Sequence, residues 1–181
     1  ATAAATLRYA RAGLVPRHTA LLALVSFAGG ALGASLASWL PQRTMHLAVL
    51  ALLPIALAVV LFKQIRPSAP PAPTQQNVWP TWLWPAALAL GFYDGFFGPG
   101  TGPFLIAALA AAGMTLEGAV GAAKPLNLGS NLGALAVFAW RGTVFPLLGF
   151  SLVPFMVAGA WVGASMAVRR GAPLIRVFLV V

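Results

Sequence analysis

"GFYDGFFGPGTGPFL" (residues 91–105) is the stretch on which the fold turns. It sets Asp94, one of two acidic residues in the chain, inside an apolar span together with five glycines and two prolines. Gly98, Gly100 and Gly102 surround Pro99 and Thr101, and Pro103 follows. Proline removes an N–H donor and blocks the preceding turn, while glycine admits left-handed backbone. A continuous helix through 98–103 is therefore not expected. Broken backbone at membrane depth survives only when it is buried in protein or lines a wet cavity. Pro103 suits the first turn of a new helix and Thr101 or Gly102 its cap, so a half-helix is expected to start near residue 102. Its N-terminus offers free N–H groups and a partial positive charge, an anion site without a basic side chain.

The rest of the chain supports the membrane frame. Of 181 residues, 60% are hydrophobic and only 7% charged, with mean hydropathy +0.90; a soluble domain carries about 25% charged residues. So few charges cannot cover a water-facing surface, and the chain reads as an integral membrane protein. The net charge of +9 is spread between apolar spans, where topology-setting Lys and Arg belong, so no nucleic-acid partner is expected. There is no cysteine, and His18 and His46 stand too far apart in sequence for a metal site, so no metal and no cofactor are expected. "ATAAATLRYARAG" lacks the apolar core of a signal peptide.

Residues 19–40 and 44–62 read as two spans, the second kinked at Pro54. "KQIRPSAPPAPTQQNVWP" reads as a surface linker, and Trp79, Trp82 and Trp84 mark re-entry into the bilayer. Residues 81–113, 115–140 and 143–168 continue the apolar pattern. The division expected is first-half helices over 1–65, a proline-rich linker over 66–80 and second-half helices over 81–181. The opening residues read as the tail of a helix and residues 171–181 as the start of another, so both ends are expected to be cut. If 81–140 cross twice, Arg8, Arg11, Arg17, Lys63, Arg66 and Arg141 share one side against Arg43, Arg169 and Arg170, which favours the first side as cytoplasmic.

An internal repeat runs through this pattern. "GGALGASLA" (29–37) matches "GAWVGASMA" (159–167) at an offset of 130, and "YARAGLV" (9–15) resembles "FAWRGTV" (138–144) at 129. Duplicated halves are common in secondary transporters, with the substrate near the midplane between them. The Gly29/Gly33 and Gly159/Gly163 spacings are expected to serve close helix packing. The fold class expected is thus all-α: a polytopic transmembrane helical bundle with broken helices and two related halves.

"AAKPLNLGSNLGAL" (122–135) repeats the device of the opening stretch. Pro125 suits the first turn of a second half-helix, and Lys124 stands just before it in an apolar run, where a buried lysine is costly and usually functional. Asn127, Ser130 and Asn131 add donors, Asn127 and Asn131 on one helical face. With Gly98, Gly100, Thr101 and Gly102, these residues describe a pocket for a small anion. Tyr93 is a further candidate donor, with packing at the interface as its alternative. Three readings of Asp94 stand open: an ion pair with Lys124, a carrier of a coupling proton, since burial disfavours the charged carboxylate, or a cap on the helix break. Glu117 is expected to be a first-turn helix charge.

These residues, "GFYDGFFGPGTGPFL" and "KPLNLGSNLGALAVF" (124–138) above all, resemble the TauE/SafE family of sulfite and organosulfonate transporters, and the likeness covers nearly the whole chain. The resemblance implies eight spans in two related halves and movement of small sulfur-containing anions such as sulfite, thiosulfate or organosulfonates across a bacterial inner membrane. The family's first-half glycine motif is missing, and the chain begins at about the second family span. A secondary transporter working by alternating access is the reading this favours. An enzyme would need a nucleophile and base or a metal cluster, and no such set is present, so none is expected. A channel would want a continuous polar pore, but the polar residues concentrate near 93–101 and 124–131. An anion channel or a non-transporting scaffold subunit is the alternative. The partners expected are the anion, the lipid bilayer and a coupling proton, and a homo-oligomer is compatible with the sequence.

Overall fold

The structure, a computed structural model, describes residues 1–16, 19–41, 43–48, 50–51, 54, 79–98, 100–144 and 146–180, with the backbone alone at 146–149 and 170–180. Among them the regular elements are all α-helical: α1 (Thr2–Arg11), α2 (Thr19–Trp39), α3 (Leu83–Phe96), α4 (Thr101–Ala111), α5 (Leu116–Trp140) and α6 (Pro146–Val180). Residues 43–48 are helical too; most of the expected second span and all of the linker before Trp79 lie outside the described residues. Two stretches, Thr19–Trp39 and Phe150–Arg169, are long and apolar enough to cross a bilayer.

α2 is the hub, and small residues make it so. Gly29 and Gly33 abut the backbone of α3 at Leu88 and Phe92, and Gly91 and Gly95 answer them against Ser26 and Gly30. On its other side Gly30 meets Ser130, while Gly129 and Gly133 of α5 lie on Ala23 and Phe27. Gly29 and Gly33 meet Leu88 and Phe92, and Gly129 and Gly133 meet Ala23 and Phe27, each in rising order, so α3 and α5 both run parallel to α2. Without side chains between them the backbones approach closely enough to replace the missing hydrophobic drive with dispersion contacts.

α4 turns back. Its residues Leu105, Leu109 and Ala112 form one buried cluster with Leu83 and Ala87 from the start of α3, Leu22 from the start of α2, and Ala119 and Ala122 from the start of α5. At 1.5 Å per residue, the 14 residues of α3 reach only about 21 Å and the 11 of α4 about 16 Å. The apolar stretch 81–113 is therefore a re-entrant hairpin that enters and leaves at one end of the bundle. The expectation that 81–140 cross twice is corrected. Arg141, at the end of α5, donates to the Ser38 carbonyl at 3.4 Å and stacks over Trp39 at 5.3 Å, so it lies at the Arg43 end.

A second correction concerns Pro125. It does not start a half-helix, because α5 is continuous from Leu116 to Trp140 with Pro125 inside it. The lost bond would have gone to the Gly121 carbonyl, four residues back. Gly121 is clamped against the Leu14 backbone, and Gly129 and Gly133 dock the next turns on α2. Packing on both sides of the proline holds the helix where local propensity would break it.

α1 and α5 end in the same turn. Gly13 (φ 72°) and Gly142 (φ 67°) take the left-handed conformation. Gly13 N–H donates to Ala10 and Gly142 N–H to Ala139, both at 3.0 Å; Leu14 donates to Tyr9 and Thr143 to Phe138, both at 3.1 Å. These are the two ends of the 129-residue sequence match, and they sit at opposite ends of the bundle. The other match divides: Gly29/Gly33 pack on α3, whereas Gly159 and Gly163 have nothing within 4 Å among the described residues. α6 reaches the bundle through α1, with Ala164 buried beside Ala5 and Tyr9, while residues 150–159 are exposed.

Candidate functional site

The hairpin tip is built by glycine. Gly98 (φ 85°) and Gly100 (φ 86°) hold left-handed backbone that a side chain would strain, and Gly100 is the residue that caps α4. α4 thus begins at Thr101, one residue before the expected start, with Pro103 in its first turn. The Thr101 hydroxyl is buried and donates to the Gly98 carbonyl at 3.0 Å, closing the turn on itself. Tyr93 packs its ring against Phe97 and Phe104 at 5.6 and 5.7 Å, bracing the two arms, and Gly102 has open space beside it.

Asp94 sits in the last turn of α3, and its partner comes from α5. The buried Ser130 hydroxyl donates to Asp94 Oδ2 at 2.5 Å, with Thr101 also within hydrogen-bonding reach of the carboxylate. Among the described residues no ion pair joins Asp94 to Lys124. The reason lies in helix geometry. Six residues separate Lys124 from Ser130, which at 3.6 per turn turns them about 120° apart on α5. Ser130 faces Asp94 near the hairpin tip, and Lys124 faces the side lined by α1, α6 and Ile106 of α4.

Lys124 instead lines a cavity of about 420 Å³ between α1, α4, α5 and α6, with Asn127, Tyr9, Ile106, Gly163 and Ala164 among its walls. Asn127 is one turn along from Lys124 and shares its face. The Asn131 amide donates to both the Asn127 backbone carbonyl, at 2.5 Å, and the Asn127 side-chain oxygen. With that oxygen taken, the Asn127 amide presents its N–H groups. The cavity therefore offers a cation and a neutral donor one helical turn apart, in walls that are mostly apolar apart from Thr2 and Tyr9.

The residues singled out by sequence thus fall into two clusters. Asp94, Gly98, Gly100, Thr101 and Ser130 assemble at the hairpin tip, braced by Tyr93, with Gly102 opening α4. Lys124 and Asn127 face the cavity, and Asn131 orients Asn127. Tyr9 was missed: its only sequence signal is that it is one of two tyrosines, flanked by Arg8 and Arg11 in an alanine-rich helix. Glu117 lies in the first turn of α5, where Thr115 caps the helix by accepting from the Gly118 N–H at 3.2 Å. No group of three metal-ligating side chains occurs among the described residues.

The whole chain, residues 1–181, matches the family model described as Sulfite exporter TauE/SafE. A probable membrane transporter protein, ORF9, of Sinorhizobium sp is 38% identical over 182 residues, covering 98% of this chain and 68% of its own length. A probable membrane transporter protein of Haemophilus influenzae is 41% identical over 93 residues, 51% of this chain and 36% of that protein. The probable membrane transporter protein YfcA of Escherichia coli K12 is 39% identical over 93 residues, 51% of this chain and 35% of its own length. No solved structure matches.

Proposed function

The chain belongs to the sulfite exporter TauE/SafE family, and on that premise we propose that it is the substrate-holding part of a secondary transporter that moves a small sulfur-containing anion (sulfite, thiosulfate or an organosulfonate) across the bacterial inner membrane by alternating access. The observation that carries the reading is the cavity shared by Lys124 and Asn127. A lysine inside an apolar helix, with no carboxylate partner among the described residues, is stable there only if something else neutralises it, and an anion does so. Asn127 adds a donor that costs no further charge.

Asp94 takes a separate role. Its carboxylate is held by Ser130 across the α3–α5 contact and leaves Lys124 to the substrate. A proton on Asp94 would turn one of its oxygens into a donor, weaken the charge-assisted bond from Ser130 and loosen the hairpin from α5. Proton binding is thereby linked to the position of the re-entrant arm, which favours the coupling-proton reading over the ion pair. Transport also accounts for the split between a cationic cavity and a carboxylate on a broken helix, which neither a catalytic set nor a continuous polar pore would need.

The test is anion binding by the intact, detergent-purified protein, read as thermal shift against sulfite, thiosulfate and methanesulfonate. Wild type is expected to be stabilised by at least one of them and Lys124→Met by none, with Arg141→Ala behaving as wild type. A folded Lys124→Met protein that retains the wild-type shift refutes the reading.

A further inference from the structure

The Lys124 cavity holds a polar group that the transport reading leaves unused. We propose that the Tyr9 hydroxyl is a third donor to the bound anion and sets the preference of the site for anions with three acceptor oxygens over those with two. The inference rests on the reading that the anion sits at Lys124.

Tyr9 is 2% exposed and lies on the wall of the cavity that Lys124 and Asn127 line. Among the described residues its hydroxyl has no hydrogen-bond partner. The hydroxyl is not sealed off: it opens on the cavity, where its donor is available to a bound group. The ring cannot swing out to find a partner elsewhere. It is packed with Ala5, Val120 and Ala164, and α1 is fastened to α6 by Arg8 Nε donating to Ser165 Oγ at 3.1 Å and by Arg11 over the Trp161 ring at 5.9 Å. The hydroxyl is thus a fixed, directional donor.

The three donors differ in what they select. An ammonium attracts any anion, whereas an amide N–H and a phenol O–H need an oxygen at a set direction. A carboxylate has two oxygens and is satisfied by Lys124 and Asn127. A sulfonate head has three, and the third meets Tyr9. The apolar wall made by Ile106 and Ala164 then faces whatever substituent the head carries.

The experiment measures the affinities of the intact protein for methanesulfonate and acetate, two anions that differ in oxygen count, in wild type, Tyr9→Phe and Lys124→Met. Tyr9→Phe keeps the ring and its packing. It is expected to weaken methanesulfonate about ten- to hundredfold, the worth of a hydrogen bond to a charged group, and to leave acetate unchanged. Unchanged methanesulfonate affinity in Tyr9→Phe overturns the inference, because the hydroxyl is then satisfied by water. Equal losses for both anions also overturn it, because the hydroxyl is then a structural group. Lys124→Met separates the two levels. If it loses both anions while Tyr9→Phe loses neither, the anion site stands and Tyr9 is not part of it. If Lys124→Met binds both as wild type does, the site reading fails and takes this inference with it.

Discussion

Gly95→Ala tests whether close backbone contact is what positions the re-entrant arm. A methyl built on Gly95 would run into the Gly30 carbonyl oxygen and stand 2.7 Å from both the Cα and the carbonyl carbon of Gly30, where carbon atoms in contact keep about 3.5–4.0 Å. The obstacle is backbone, so no side-chain rotation relieves it, and α3 must move off α2 by about 1 Å. Overpacking of this kind costs about 1–3 kcal/mol. Alanine's higher helix propensity returns up to about 1 kcal/mol, leaving a net loss of about 1–2 kcal/mol. The movement acts directly on the neighbouring residue: Asp94 accepts from Ser130 at 2.5 Å, and a displacement of about 1 Å takes that pair to the limit of a hydrogen bond. Thermal unfolding of the intact protein in detergent should fall by about 2–8 °C, and proton-coupled uptake into proteoliposomes should fall with it. Gly102→Ala is the control, since nothing lies within 4 Å of that position, and it should match or slightly exceed wild type. Equal melting temperatures for Gly95→Ala, Gly102→Ala and wild type would show that α3 is not wedged on α2 and would refute the packing argument.

The chain has no cysteine, so single cysteines report topology cleanly: Ala10→Cys and Ala111→Cys should label from one side of the membrane and Thr44→Cys and Thr143→Cys from the other, and Ala111→Cys labelling together with Thr44→Cys would rule out the re-entrant hairpin. Asp94→Asn should fold and bind the anion with little pH dependence over the range where the substrate's own charge is constant, yet fail to accumulate substrate against a proton gradient; a pH profile as steep as that of wild type would remove Asp94 as the titrating group. Thr115→Ala deletes the cap on α5 and should lower stability by about 1 kcal/mol, measured as a melting shift with anion affinity intact; loss of affinity at unchanged stability would mean that the α5 terminus serves the site itself.

The amino-acid sequence determined what depends on composition and local chemistry. The scarcity of charge dictated a membrane protein of helices, and the density of Gly and Pro at 98–103 dictated a break there, because no packing partner can restore a helix through that run. The cap expected at Thr101 or Gly102 fell at Gly100 because the left-handed backbone needed to reverse the chain is open to glycine and strained for threonine. Where long-range contacts compete with local preference, only the tertiary structure decided. Pro125 carries the same local signal as Pro103, but α2 and the Leu14 backbone grip α5 on either side of it and the helix runs through. Residues 81–113 are long enough to cross a bilayer, and nothing in their hydropathy tells a crossing from a hairpin. The choice is made by Gly91 and Gly95 locking α3 to α2 and by Leu105 and Leu109 returning to Leu83. Lys124 and Asp94 lie in separate clusters for the same reason. Periodicity sets Lys124 and Ser130 on different faces of α5, but which face meets the hairpin and which meets α1 is fixed by the packing of four helices, and so Tyr9 entered the candidate site only with the fold.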